Sequence, residues 1–467
     1  MKRHPGQGCV TTEGMEGYAV EQYNLEELLQ FVEEHRFRSL CTRLAEMNEA
    51  DIAEFMEELD DNRKVLIFRM LPKGLAADVF ACLEPDIQEH IINSITDAEI
   101  HKIVEDLFVD DAVDMLEELP ATVVKRVMRN TTPETRKIIN QFLQYPDNSA
   151  GSIMTAEYIG LKKYMNVEQA FSYIRVHGVD KETIYTCFVM DGERHLEGVV
   201  TIKDLLMNPY ETRIQDIMDT NIIKAVTTED QEEVIELFNK YDLLCLPVVD
   251  HEHRLVGIVT VDDIVDVMEE EATEDFEKMA AMLPSDKPYL KTSILELAKN
   301  RIVWLTVLML SSMITGSILT HYEAAFAALP LLVSFVPMLT GTGGNAGSQS
   351  STMIIRCMAI GEVEPKDTLR VIWKEIRVAF VVGLILGALN YIRLIFMYPG
   401  QPLVCLTVVL SLYITIIMAK GIGCTLPIAA KLLNLDPAIM AAPLISTIVD
   451  ACSLIIYFRI ACNLLNI

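Results

Sequence analysis

The sequence predicts a multidomain chain: an all-α N-terminal domain, an α/β pair of tandem repeats, an acidic connecting helix, and a five-helix α transmembrane domain. Three observations predict this. The chain is 51% hydrophobic and carries a formal charge of −28, and the two properties occupy different regions. Of 67 Asp+Glu only 7 lie from Arg301 onward, against 10 of the 39 Lys+Arg, so the first 300 residues carry about −31 and the remainder about +3. An eleven-residue block repeats in the middle of the chain, and long apolar blocks fill the last third.

So acidic a first half repels itself unless counter-cations relieve it. It also excludes nucleic-acid binding, which needs a basic footprint. The 10 cysteines form no C-x-x-C pair and keep no regular spacing, as expected of free thiols in a reducing cytosol. Residues 1–17 are polar and Gly-containing, without the apolar core of a signal peptide, so the large N-terminal half is expected on the cytosolic side.

Residues 25–142 read as short amphipathic helices. Ile52, Phe55, Met56 and Leu59 recur at steps of three and four, the helical period. Met56-Glu57-Glu58-Leu59 is echoed by Leu116-Glu117-Glu118-Leu119, each followed by a basic, apolar helix. Stacked helical repeats wound into a superhelix account for the echo, as does a plain bundle; the superhelix is the expectation carried forward.

After Tyr145-Pro146-Asp147-Asn148 strands and helices alternate. The block 196–206, Leu-Glu-Gly-Val-Val-Thr-Ile-Lys-Asp-Leu-Leu, matches 255–265, Leu-Val-Gly-Ile-Val-Thr-Val-Asp-Asp-Ile-Val. A strand precedes each copy, at 184–190 and 246–250, and each repeat opens alike, with Ser152-Ile153-Met154-Thr155 and Asp216-Ile217-Met218-Asp219. The doubled block resembles a tandem pair of CBS domains, β-α-β-β-α units that pack into one regulatory module.

The apolar blocks 302–320, 324–339, 378–397, 403–419 and 439–465 have the length that crosses a ~30 Å hydrocarbon layer. Five spans are expected, the second continuing into the Gly-rich stretch after it. Lys291, Lys299 and Arg301 precede the first span; Arg356, Lys366, Arg370, Lys374 and Arg377 follow the second; Lys420 and Lys431 bracket the loop after the fourth. The loops 321–323 and 398–402 carry no Lys or Arg. The positive-inside rule then puts the N-terminus in the cytosol and the C-terminus outside, in a multi-pass plasma (inner) membrane protein.

Acids inside the membrane come first as candidate functional residues, since an ionised group there costs roughly 2.5–3.5 kcal/mol even on the lenient insertion scale. Asp436, before Pro437, is explained equally by helix capping and by a cation site. Asp450 lies mid-helix, where either a partnered or protonated carboxyl or a water-filled cation path accounts for it; Arg393, Lys420 and Arg459 are the bases within range of pairing. The cation path is the expectation. The stretch 341–349, Gly-Thr-Gly-Gly-Asn-Ala-Gly-Ser-Gln, lacks the Lys-Ser/Thr ending of a phosphate loop. Its small residues permit close helix packing, and Asn345 and Gln349, one turn apart, share a face. On the helix leaving the second repeat, Asp263, Asp266, Glu270, Glu274 and Glu277 form one acidic face, flanked by Glu271 and Asp275. Like charges at those spacings destabilise a helix. A solvated face is the ordinary reading; cation sensing is the expectation, because this helix leads straight into the first span.

The order of these features resembles the MgtE family of magnesium channels over nearly the whole chain. The likeness is strongest in Glu271-Ala272-Thr273-Glu274-Asp275, in 341–349 and from Asp436-Pro437 to Asp450. It implies a homodimer in the lipid bilayer, with no other protein partner. A pore on its axis would hold hydrated Mg²⁺ at Asp450, with Asn345, Gln349 and Thr447 lining the path. The helix from about 262 to 282 becomes a plug helix, with Asp263, Asp266, Glu271, Glu274 and Asp275 holding regulatory Mg²⁺. Asp78 and Asp110 of the helical domain, with Asp230, Glu232 and Asp242 of the second repeat, would complete those sites. Ala442 stands where the family pattern often has Asn. The corresponding domains are 20–145 (acidic helical N domain), 146–210 and 211–266 (the CBS pair), 262–290 (connecting helix) and 291–467 (transmembrane).

The expected function is Mg²⁺ influx with negative feedback from cytosolic Mg²⁺. The alternative is a CBS-regulated transporter for another divalent cation (Co²⁺, Mn²⁺) or a small solute. No nucleophile–base pair or Walker A loop appears, so no enzyme activity is expected. ATP at the CBS pair follows by analogy alone.

Overall fold

The computed structural model describes residues 25–179, 181–285, 289–290, 292–323, 327, 329–440 and 442–465. Residues 1–17, Lys291 and the start of the expected second span, 324–326, lie outside the described residues. The chain divides into two compact units, Met1–Ile264 and Val265–Ile467.

Among the described residues the first unit begins with ten short helices: α1 (Leu25–Glu33), α2 (Phe37–Leu44), α3 (Glu49–Glu57), α4 (Asp61–Phe68), α5 (Lys73–Ala81), α6 (Pro85–Ser94), α7 (Asp97–Asp106), α8 (Val109–Glu118), α9 (Ala121–Asn130) and α10 (Pro133–Phe142). Their starts are set by local chemistry. Asn48, Asp60, Thr96 and Thr132 accept bonds from the first-turn amides of α3, α4, α7 and α10, and Thr96 with Glu99 completes a capping box. Alternate helices pack together, α3 on α5, α5 on α7, α7 on α9, and α4 on α6, α6 on α8, α8 on α10. That alternation is a superhelix, not a bundle. The echoed motifs end α3 and α8, where Met56, Leu59, Leu116 and Leu119 are all buried.

Two matching α/β repeats follow. Strand β1 (Ile159–Leu161) runs parallel to β2 (Thr186–Met190), which pairs antiparallel with β3 (Leu196–Thr201). The same order recurs in β4 (Ala225–Val226), β5 (Cys245–Val249) and β6 (Leu255–Thr260), with the register shift at Val189/Met190 repeated at Val248/Val249. Their helices are α11 (Val167–His177), α12 (Ile202–Met207), α13 (Ile214–Ile217) and α14 (Gln231–Tyr241). The repeats interlock through their openings. Thr155 exchanges backbone bonds with Ile258 of β6, and Asp219 with Val199 of β3. Met154 lies over Gly257 and Met218 over Gly198, where a Cβ would meet the thioether sulfur. The glycine of each repeated block thus makes room for the methionine that opens the other repeat.

Helix α15 (Val261–Met279) spans the division between the units and carries the acidic face. The second unit continues with α16 (Ile294–His321), a 3-10 turn at Pro330–Phe335, α17 (Val336–Ala359), α18 (Thr368–Met397), α19 (Pro402–Leu432), a 3-10 turn at Pro437–Met440, and α20 (Ala442–Leu465). Helix α17 packs on α19 and α20, α18 and α20 each pack on α19, and α16 packs on α20. Leu412, Ile416, Ile445, Val449 and Tyr457 form the core, and the Tyr457 hydroxyl donates to the Leu332 carbonyl at 3.0 Å. Among the described residues four segments, Ile294–His321, Pro365–Met397, Pro402–Leu432 and Pro437–Leu465, are long and apolar enough to cross a membrane. The fifth long helix, α17, carries the second expected span into the Gly-rich stretch; the described part of 324–339 ahead of it is the 3-10 turn Pro330–Phe335, and the helix proper begins at Val336. Hydropathy tracks large apolar side chains, and this helix is built around Gly, Ser and Thr.

Candidate cation sites

In the first unit, burial gathers carboxylates. Asp110 and Asp111 sit in the first turn of α8, with Asp114 one turn on. Asp263 lies in the first turn of α15, held by a 2.5 Å bond from Thr260 Oγ1, and Glu157 accepts from Thr155 Oγ1 at 2.7 Å. Glu182 is tied to Glu157 by a 3.0 Å backbone bond. Burial first, then repulsion from Asp111, Asp263, Glu157 and Glu182, pushes Asp110 up to about 8. Burial and neighbouring acids push Asp114 and Glu182 up to about 7 and Asp111 to about 6. The largest charge effects on these four groups all come from other acids. Asp110 Oδ1 is buried with no hydrogen-bond partner, and that orphaned oxygen fits a site for a cation. Asp78 joins the edge of this group: burial, Glu49 and Asp106 raise it, and it in turn raises Asp111.

The residues chosen from the second repeat stand elsewhere. Asp230 caps α14 by accepting from the Glu232 amide, and Asp242 ends the same helix in a left-handed conformation, φ 50°. Eleven residues of helix keep the two ends about 16 Å apart. Sequence reasoning missed Asp111, Asp114, Glu157 and Glu182. Asp114, four residues on, shares a helix face with Asp110, and Asp111 is its chain neighbour; Glu157 and Glu182 are loop residues that only the folded repeat brings in.

Further along α15, Lys278 bridges Glu274 at 2.8 Å and Asp436 at 2.7 Å. Asp436 also accepts from the Ala438 amide at 2.7 Å, so it caps the turn Pro437–Met440 as well as pairing with lysine. Asp275 stands beside this bridge. Burial first, then Asp436, Glu271 and Glu274, push it up to about 6 despite Lys278.

Asp450 is the ninth residue of α20, half-buried, with neither a hydrogen bond nor an ion pair to any described residue. The bases within sequence reach are engaged otherwise: Lys420 pairs with Glu375, the Arg393 guanidinium lies against Met338 Sδ, and Arg459 is exposed. Helix α17 packs tightly on α20 because Cβ atoms at Gly343 and Gly344 would crowd Val449 and Ser446. Asn345 and Gln349 then fall on an exposed face of α17, one helical turn apart, inside an otherwise apolar helix layer. Thr447 bonds back to the Pro443 carbonyl at 3.0 Å. Among the described residues no three Asp, Glu, His or Cys groups converge tightly enough to wrap a bare metal ion. A fully hydrated ion makes no such demand.

Comparison with known proteins agrees with this layout. Family models match in three places: MgtE, divalent cation transporter, over residues 336–460; MgtE intracellular N domain over 47–148; and CBS domain over 150–210 and 214–270. The magnesium transporter MgtE of Thermus thermophilus is 36% identical over 95% of this chain and 98% of its own length. That of Bacillus subtilis is 32% identical over 91% and 94%. The solved cytosolic domain of the Mg²⁺ channel MgtE in complex with ATP is similar at 34% identity and TM-score 0.50, covering 52% of this chain and all of that one. The family is one of membrane transporters and not of enzymes. This chain belongs to the MgtE family of divalent cation transporters.

Proposed function

We propose that the protein conducts Mg²⁺ into the cell and closes when cytosolic Mg²⁺ is high. The observation that carries the reading is Asp450, a carboxylate midway along a membrane helix with no partner among the described residues. Such a group is tolerated where it faces water and a passing cation. Paired across a homodimer axis, two Asp450 carboxylates would hold a hydrated Mg²⁺ without stripping its waters, which Mg²⁺ gives up reluctantly. Asn345, Gln349 and Thr447 would line the same path. The N-terminus would face the cytosol and the C-terminus the outside.

Regulation rests on the carboxylates below. Asp78, Asp110 and Asp263, joined by Asp111, Asp114, Glu157 and Glu182, form one set; Asp266, Glu271, Glu274, Asp275 and Asp436 form another; Asp230, Glu232 and Asp242 add a third acidic surface. Bound Mg²⁺ would offset the repulsion within these sets, in the second of which Lys278 already pairs with Glu274 and Asp436. Without it the carboxylates repel, and that repulsion favours the open channel. Differential binding of a few kcal/mol is enough to move such an equilibrium. The ATP complex of the related cytosolic domain supports ATP as a ligand of the CBS pair here.

The test is growth of Mg²⁺-uptake-deficient bacteria on limiting Mg²⁺. The parent chain should restore growth and Asp450→Ala should not; a variant that rescues as well as the parent rejects the pore assignment.

A further inference from the structure

Lys420 is the one charged side chain, among the described residues, that is fully buried, at 6% exposure. Its ammonium donates to Ser350 Oγ at 3.0 Å and to Glu375 Oε2 at 3.4 Å, while the Ser350 hydroxyl donates to the same carboxylate oxygen at 2.6 Å. The three residues come from α19, α17 and α18, so three membrane helices meet at one closed polar ring. A buried ion pair of this kind seldom stabilises more than an apolar cluster would, and its best-attested use is to fix register.

What it would fix here is plain from its neighbours. One turn away on the same two helices, Gly347 and Gly423 are in backbone contact, and a Cβ at Gly423 would overlap the Gly347 carbonyl. The adjacent Ser351 donates to the Met440 carbonyl at 2.9 Å, in the turn that leads into α20. Glycine contacts hold two helices close but leave them free to rotate and slide. The charged ring removes that freedom.

We propose that Lys420 and Glu375 are positioning residues for ion passage, locking the rotation and height of α17 so that Asn345 and Gln349 stay aligned beside the Asp450 helix. The proposal rests on the transport reading of Asp450. It assigns no ion contact to Glu375 itself.

The test uses the full chain in liposomes with a trapped Mg²⁺ indicator, comparing Lys420→Met, Glu375→Gln and the two combined. Each single variant leaves a buried charge without its partner, and maximal flux should fall about tenfold or more, with half-saturating Mg²⁺ changed less than about twofold. The combined variant removes both charges and keeps an amide for Ser350; its flux should recover to within about threefold of the parent. Singles that conduct like the parent overturn the proposal. So does a combined variant no better than Glu375→Gln, the outcome expected if Glu375 binds the ion directly. Should one single variant fail to fold, the other decides: flux down about tenfold with half-saturating Mg²⁺ nearly unchanged supports the proposal, and parental flux overturns it. Failure of the transport reading is separate, since it would appear as a parent chain that conducts no Mg²⁺.

Discussion

Asp110 shows how burial changes the acidity of an ordinary carboxylate. Its folded form holds a proton up to about pH 8, whereas the unfolded chain releases it near the ordinary aspartate value of 3.8. Between those limits the folded state binds more protons than the unfolded, so stability is highest at the acidic end and is lost as pH rises toward about 8. Asp111, Asp114 and Glu182 act with the same sign. In a chelator the thermal midpoint of the first unit should therefore rise as pH is lowered from about 8 to 6. Saturating Mg²⁺ should flatten that slope, and Asp110→Asn should raise the midpoint at pH 8. A slope unchanged by Mg²⁺ would remove Asp110 from the regulatory set. At this scale the sequence was legible in part. Asp110 and Asp263 were chosen from it, but their electrostatic neighbours Glu157 and Glu182 sit in loops whose positions depend on strands more than twenty residues away. The partner of Asp436 was hidden for the same reason, since Lys278 and the turn at Pro437–Met440 are far apart in the chain.

Helix α15 carries the sharpest expectation among the elements. Its acidic face was readable because charge repeats at the helical period, and the structure makes one helix of it from Val261 to Met279. Replacing Glu271, Glu274 and Asp275 together with Gln, Gln and Asn relieves the crowding that raises Asp275 and weakens the demand for a counter-cation. Mg²⁺ flux into liposomes should then persist at millimolar Mg²⁺ on the face that closes the parent; closure at the parental concentration would show that this helix does not sense the ion. Helix α17 teaches the opposite lesson. Its glycines were recognised as packing residues and its run through 341–349 was expected, but the bounds of the helix were not legible, because Gly and Ser add little to hydropathy while still filling a membrane helix. The paired Gly198 and Gly257 were visible as a motif, and only the fold explains them, each lying beneath the methionine of the other repeat.

Across the whole molecule, the division of charge carries the account. Sixty acids against 29 bases in the first 300 residues create surfaces that need cations, and the few acids beyond them stand out in apolar helices. The order of domains was legible from composition and repeats, because each class of element has its own period. The polar ring at Lys420 was not: that lysine was weighed as a partner for Asp450, and nothing in spacing reveals that Glu375 on the preceding helix takes it instead. The central claim is that uncompensated carboxylates govern both passage and closure of a Mg²⁺ path. Mg²⁺ flux through the purified full chain in liposomes, with and without millimolar Mg²⁺ at the first unit, tests it most directly. The parent should conduct without Mg²⁺ there and fall about tenfold with it, while Asp450→Asn conducts in neither condition. A parent no more permeable than protein-free liposomes, or an Asp450→Asn variant that matches it, would contradict the account.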